Sequence, residues 1–575
     1  MTVHRSAGAA AALAAVLVLR LPAGTLSPDR YIDVMDRAVG AYSPARIDDT
    51  VRRVESRGIE EHGFTRLVAN LGILVAKGRR AESRGLFRRM MDLCCRELPT
   101  SHARNGWSVG NDFGVKEVVL ALLELERAAV YPKDVTDAWR RDLSRAPAGE
   151  LYSCRPGPKP GKAQNWMVFG AASEQLRVFA GAGGDPDYVE RCVAAQLPFF
   201  DANGMYRDPH EPMVYDLVTR LQFAVALRFG YDGASRPALE RMLDRSEDPT
   251  LRMQSVTGEI PYGGRSNQYV FNETFFAALC EFYAGRCKAR GDLRRAARFR
   301  AAAARALDSF DRWTAERGFR HVKNRHPSAS RFGCEPYGYF DKYMVTAGSF
   351  AYLGHLLADA SVPTADADEP DSTLVLSGHF HRVMVNAGGY TVQLDTDPDR
   401  DYDAGGIGRI QRRGCPPVVC LSVPASAAPR YSLGSVTNAT PLAIAPGRKA
   451  GGVWRYGFGG GYELTKREDA AVELQVDGMR WRIAVEDGAV VLRLTGEGEL
   501  ALVLPAFLGD GERTGEIAAE SDRLSVSFGG GTCVYTTDGK IVDCAGICGN
   551  RNGLYRRFEA RGTDSLSVRV VLANR

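Results

Sequence analysis

Apolar residues between Ser27 and about Ala358 recur at helical spacing, and the pattern predicts at least nine helices. The stretches are residues 66–76, 87–98, 115–128, 166–180, 188–199, 214–229, 272–287, 293–313 and 344–357. Between them lie loops rich in Gly, Pro, Asp and Asn, at residues 100–110, 156–164, 201–212, 258–267 and 325–339. Residues 361–371 are rich in Pro, Asp and Ala and read as a linker. Beyond it the period falls to two, with strands expected at 380–385, 390–394, 418–423, 452–458, 471–476, 481–485, 489–494, 501–507, 524–528, 532–536 and 565–572. Asp477-Gly478 between two alternating runs is a hairpin turn signal. The expectation is a multidomain α+β chain, with an N-terminal (α/α) toroid (an incomplete helical barrel) followed by an antiparallel β-sandwich. The expected divisions are 1–28 (signal or flexible extension), 29–358 (toroid), 359–371 (linker) and 372–575 (sandwich).

Composition changes this picture little. A chain of 575 residues is too long for one hydrophobic core. Its 45% apolar and 25% charged residues exclude extensive disorder. A net charge of +5, from 74 basic and 69 acidic residues, makes no case for nucleic acid. His4 and Arg5 precede an apolar run from Gly8 to Leu19, too short for a stable membrane span. The chain is secreted or at the cell surface if residues 1–24 are a signal peptide, and cytoplasmic otherwise. Of the 12 cysteines, Cys415/Cys420 and Cys544/Cys548 are spaced so that each pair could bridge. Their spacing does not support a zinc site. No P-loop, dinucleotide fingerprint, metalloprotease motif or serine elbow is present.

The loops of the helical half carry the candidate chemistry, because loops on a rigid scaffold usually form the site. Asn165, His210, Tyr215, Arg265 and Glu335 all lie in or beside such loops. Asn and Arg could bind a carboxylate and stabilise enolate-like charge beside it. His210 or Tyr215 could take a proton, and Tyr215 could return one to a leaving oxygen. Trp107, Trp166, Tyr206, Tyr262 and Tyr269 could stack on sugar faces. Asn267, Tyr337, Tyr339, His379 and His381 complete the candidate substrate-binding set, and the alternation of His379 and His381 places both on one strand face. His321 and His326 are spare candidates. Each has a bland reading: Asn165 as a helix cap, His210 as a turn brace, Tyr215 as core, Arg265 as a helix-end or surface charge, and Glu335 as a supporting acid.

In this order Asn165, His210, Tyr215, Arg265 and Glu335 resemble the set of the polysaccharide lyases that have an (α/α) toroid and a C-terminal antiparallel β-domain. That group includes the chondroitin, hyaluronate, heparin and alginate lyases. The resemblance implies β-elimination next to a uronic acid, with an anionic polysaccharide or oligosaccharide as partner; apart from the resemblance, no nucleic acid is expected and no cofactor is assigned. A divalent cation is possible on His379 and His381 but has no further support. The His210–Tyr215 separation is shorter than the family pattern. One rival is a glycoside hydrolase, for which Glu335 with Asp341, Asp208 with Glu211, or Glu273 could supply carboxylates. A second is a glycan-binding protein without turnover. The sequence leaves the sugar and the oligomeric state open.

Overall fold

The computed structural model describes residues 26–157, 161–210, 212–315, 319–364 and 370–574. The apolar run considered as a signal lies outside them. Fifteen helices occur among the described residues. They are α1 (Asp29–Gly40), α2 (Pro44–Arg57), α3 (His62–Ala76), α4 (Arg84–Asn105), α5 (Asn111–Arg127), α6 (Lys133–Leu143), α7 (Ala148–Leu151) and α8 (Asn165–Ala180). They continue with α9 (Pro186–Gln196), α10 (Met213–Arg228), α11 (Arg236–Arg245), α12 (Glu247–Arg252), α13 (Phe271–Ala289), α14 (Leu293–Thr314) and α15 (Phe340–Leu357).

Six of them, α3, α5, α8, α10, α13 and α15, form an inner ring in which each packs on the next and α15 returns to α3. The expected toroid is present, and its ring closes. Inner helices are buried nearly all round; α3 buries every residue from His62 to Val75. Outer helices bury one stripe, as α2 does with Ile47, Val51 and Val54. Helix α1 covers α15, α4 covers α3, α9 covers α8 and α14 covers α13. The helices missed by the periodic reading, α1, α2, α6, α7, α11 and α12, are outer or short, and their charged faces dilute the apolar signal.

The C-terminal half is antiparallel. Strands β1 (Ser372–Val375), β2 (Arg382–Ala387), β3 (Tyr390–Asp395) and β4 (Gly406–Arg412) form a sheet in chain order. A second sheet has eleven strands: β5 (Pro446–Ala450), β6 (Val453–Tyr456), β7 (Glu463–Arg467), β8 (Ala471–Val476), β9 (Met479–Glu486), β10 (Ala489–Gly509), β11 (Glu516–Ala519), β12 (Arg523–Phe528), β13 (Gly531–Thr537), β14 (Lys540–Asn550) and β15 (Gly553–Asn574). Val385, Val392 and Ile410 of the small sheet share one core with Leu474, Trp481, Leu492 and Val570 of the large one. The hairpin at Asp477-Gly478 forms as expected, with both residues at positive φ (48° and 74°), as a primed turn requires. The runs 489–494 and 501–507 join into one strand, β10, with a register shift between Thr495 and Glu499. Residues 418–423 form no strand apart from a single bridge between Leu421 and Ile410.

Buried ion pairs tie the two halves together. Arg551, in the turn before β15, makes a bidentate bond to Glu335 at 2.6 and 3.1 Å. Lys323 Nζ lies 2.6 Å from Glu273 and 3.4 Å from Glu259, and Gln411 of β4 donates to Glu259 at 2.7 Å. The Gly264 N–H donates to Asp403 at 2.7 Å. The β-domain therefore braces the loops at 258–267 and 325–339. All twelve cysteines are free thiols, so neither Cys415/Cys420 nor Cys544/Cys548 is bridged. No helix among the described residues is long and apolar enough to cross a membrane.

Candidate functional site

A pocket of about 310 Å³ opens at one mouth of the ring. Every inner helix reaches it near its N-terminal end: α3 through His62 and Arg66, α5 through Phe113, and α8 through Trp166 and Phe169. On the other side α10 contributes Val214, Tyr215 and Val218, α13 Phe271, and α15 Lys342, Tyr343, Thr346 and Phe350. Six helix N-termini therefore face one space, and their dipoles favour negative charge there. Trp107, Arg265, Ser266 and Tyr337 complete the lining from loops.

One wall is an aromatic platform. Trp107 meets Trp166 edge-on at 5.9 Å, and Trp166 meets Phe113 at 4.5 Å. Trp107 is 69% exposed, unusual for so large an apolar ring. The opposite wall is polar. The Tyr215 hydroxyl lies 2.9 Å from Ser266 Oγ, which also meets the Tyr337 hydroxyl at 3.1 Å. The Arg265 guanidinium stacks 4.6 Å from the Tyr215 ring centroid. Burial pushes the Tyr215 phenol up, and Arg265 only partly offsets this. On α3, burial and the nearby Lys342, Arg66 and Lys116 hold His62 well below the usual histidine range. Burial lowers Lys116 to about 8 despite its contact with Glu117.

The expected site residues separate into two groups. Tyr215, Arg265, Trp107, Trp166 and Tyr337 meet in the pocket. Asn165 stands beside it: its Nδ2 donates to Asp208 at 3.0 Å, and Asp208 also binds Arg265. His210 is exposed in a turn at φ 66° and does not line the pocket. Glu335 is buried beneath the polar wall, accepting from Arg551, from the Tyr269 hydroxyl at 2.7 Å and from the Ser266 N–H at 2.6 Å. Tyr206 is buried against Gln196 at 2.5 Å, and Tyr262 lies between Arg382 and Arg409 at the domain seam. Asn267 is buried and donates weakly to the Pro261 carbonyl at 3.4 Å. Tyr339 is half exposed under Arg331. His379 approaches the Asp208 carbonyl at 3.2 Å.

His379 and His381 do not share a strand face. Both lie in the turn between β1 and β2, where Phe380 and His381 N–H groups bond the Ser377 carbonyl and His381 takes φ 50°. No cluster of three or more potential metal ligands occurs among the described residues. His321 is buried with its Nε2 at 2.9 Å from the Gly338 carbonyl, and His326 stacks on Phe332 at 3.7 Å. None of the described carboxylates offered for hydrolysis lines the pocket: Glu335 is paired with Arg551, Asp341 with Arg46, Glu273 with Lys323, and Asp208 with the pocket residue Arg265. Glu211 lies outside the described residues. Sequence reasoning missed His62, Arg66, Phe113, Lys342 and Tyr343, all on ring helices and not in loops. The one available signal was charge and imidazole inside otherwise apolar helices.

No family model matches the chain, and no curated protein matches it in sequence. Among solved structures it is similar to a GH127 beta-L-arabinofuranosidase from Geobacillus stearothermophilus T6, at 12% identity and a TM-score of 0.35, over 96% of this chain and 99% of that one. It is also similar to endoglucanase CelQ from Clostridium thermocellum complexed with cellobiose and cellotriose, at 10% identity and a TM-score of 0.29, over 95% of this chain and 92% of that one. Both printed names are those of glycoside hydrolases and neither is that of a lyase, so the comparisons do not support the expected assignment as a carbon–oxygen lyase of heparinase type. Of the expected lyase set, His210 does not line the pocket, Glu335 is bound to Arg551 and the Asn165 Nδ2 to Asp208.

Proposed function

We propose that this protein is a carbohydrate-active enzyme that hydrolyses an acidic saccharide, one unit of which sits in the ring-mouth pocket. The observation that carries this reading is the joining of an aromatic platform with Arg66, Arg265 and Lys342 at six helix N-termini. Flat rings suit the apolar faces of sugars, while cations and helix dipoles suit a carboxylate or sulfate. Two acids stand just behind the lining, Asp208 beside Arg265 and Glu61 near Lys342. Burial pushes both carboxyls up, the direction that a proton donor to a leaving oxygen needs.

The test is a panel of uronate and sulfated glycans with new reducing ends as the readout. The expected result is release from at least one acidic glycan and none from its neutral counterpart. Glu61→Gln should lower turnover at least about a hundredfold while binding persists. Release from neutral glycans alone would overturn the reading. A second reading, glycan binding without turnover, is favoured by the absence of any Asp or Glu from the pocket lining among the described residues. Saturable binding with no new ends across the panel would decide for it.

A further inference from the structure

Three cations reach the pocket, and two are already neutralised. Arg66 Nε lies 3.2 Å from Glu117, and Arg265 is bound to Asp208. Lys342 differs. Among the described residues its ammonium has no carboxylate within ion-pairing distance and no side-chain hydrogen bond. Burial lowers its pKa, and Arg66 adds to the effect. The acid that acts on it is Glu61, itself pushed toward the neutral form by burial. A partly buried ammonium without a protein partner is costly to keep, so at the pocket wall it marks a place for a charge from outside the chain.

His62 on the adjoining helix is more deeply buried, at 4% exposed. Its Nδ1 is buried without a hydrogen-bond partner. The ring is held in place. Phe113 packs at 5.1 Å, and Gly110 (φ 60°) approaches so closely that a Cβ there would lie 2.7 Å from the imidazole. Lys342, Arg66 and Lys116 surround it and disfavour a second proton. A neutral imidazole offers one donor and one acceptor, which suits a sugar hydroxyl.

We infer that Lys342 and His62 are the specificity-determining pair of the pocket, Lys342 receiving the anionic group of the bound sugar and His62 a hydroxyl beside it. The inference rests on the reading of the pocket as a saccharide site. It divides the cations into one that recognises ligand and two that hold the walls.

The experiment is calorimetric titration of the full chain with oligomers of glucuronate, galacturonate and mannuronate, each beside its carboxyl-reduced counterpart, and with a sulfated neutral oligosaccharide. Wild-type protein is expected to prefer an acidic oligomer over its uncharged counterpart, and the sulfated arm separates carboxylate from sulfate. Lys342→Met should lose about ten- to a hundredfold in affinity for the acidic ligand and leave the reduced ligand unchanged. Lys342→Arg should restore most of the preference. His62→Gln should weaken both ligands by a similar factor, about fivefold. The Lys342→Met protein should melt at or above the wild-type temperature, because it removes an unpaired, partly buried charge. Equal losses for both ligands in Lys342→Met, or a lower melting temperature, would assign Lys342 to structure and overturn the inference. Wild-type protein that binds neither member of any pair would instead remove the saccharide reading itself, and this inference with it.

Discussion

The domain seam and the pocket both gather charged and polar side chains away from bulk water, yet they treat them oppositely. At the seam Glu335 receives Arg551 twice, the Tyr269 hydroxyl and the Ser266 N–H. In the pocket Lys342 and the His62 Nδ1 meet no such partners among the described residues. Burial alone therefore does not separate structure from site. At the seam Glu335 is filled by the chain, whereas the pocket pair is left open for the ligand proposed above.

The contrast is sharpest under substitution. Arg551→Met leaves the buried Glu335 carboxylate without its counter-ion and should cost about 3–5 kcal/mol in denaturant unfolding, whereas Lys342→Met should cost nothing. Equal stability of the two variants would break the distinction.

Acid offers a second probe of the seam. Burial works to raise Glu259, but Lys323, Arg409 and Arg312 outweigh it and hold the carboxyl at about 2, below its ordinary 4.5. A depressed folded-state pKa contributes stability that is complete above about 4.5 and lost as pH falls toward 2. Stability measured across that window should decline by an amount on the order of a few kcal/mol, and Glu259→Gln should flatten the decline.

Gly110 tests how the pocket is held. Gly110→Ala puts a Cβ against the His62 ring at positive φ and should cost about 1–2 kcal/mol in unfolding. It should weaken saccharide binding alongside His62→Gln. Trp107→Ala should have a small effect on stability. The ring is 69% exposed, so unfolding should change by less than about 0.5 kcal/mol while saccharide affinity falls several-fold.

Helices and strands were legible because each is written in a local period. The run 166–180 carries α8 and the Asp477-Gly478 turn carries the β8–β9 hairpin with no help from distant residues. The pocket was legible in part: Trp107, Trp166, Tyr215, Arg265 and Tyr337 were marked by their place in or beside polar loops. His62 and Lys342 were not, because each sits in the first turn of a ring helix and looks like an ordinary helix-start residue until the ring closes.

What the chain determines by itself is the order of its elements, since backbone periodicity depends on neighbours a few positions away. Which polar side chain is spent and which is open was decided only by tertiary structure. Glu335 finds Arg551 across 216 positions, and Arg66 finds Thr346 across 280. Hydrogen bonds and ion pairs act over a few ångströms, and only the fold brings such residues within reach.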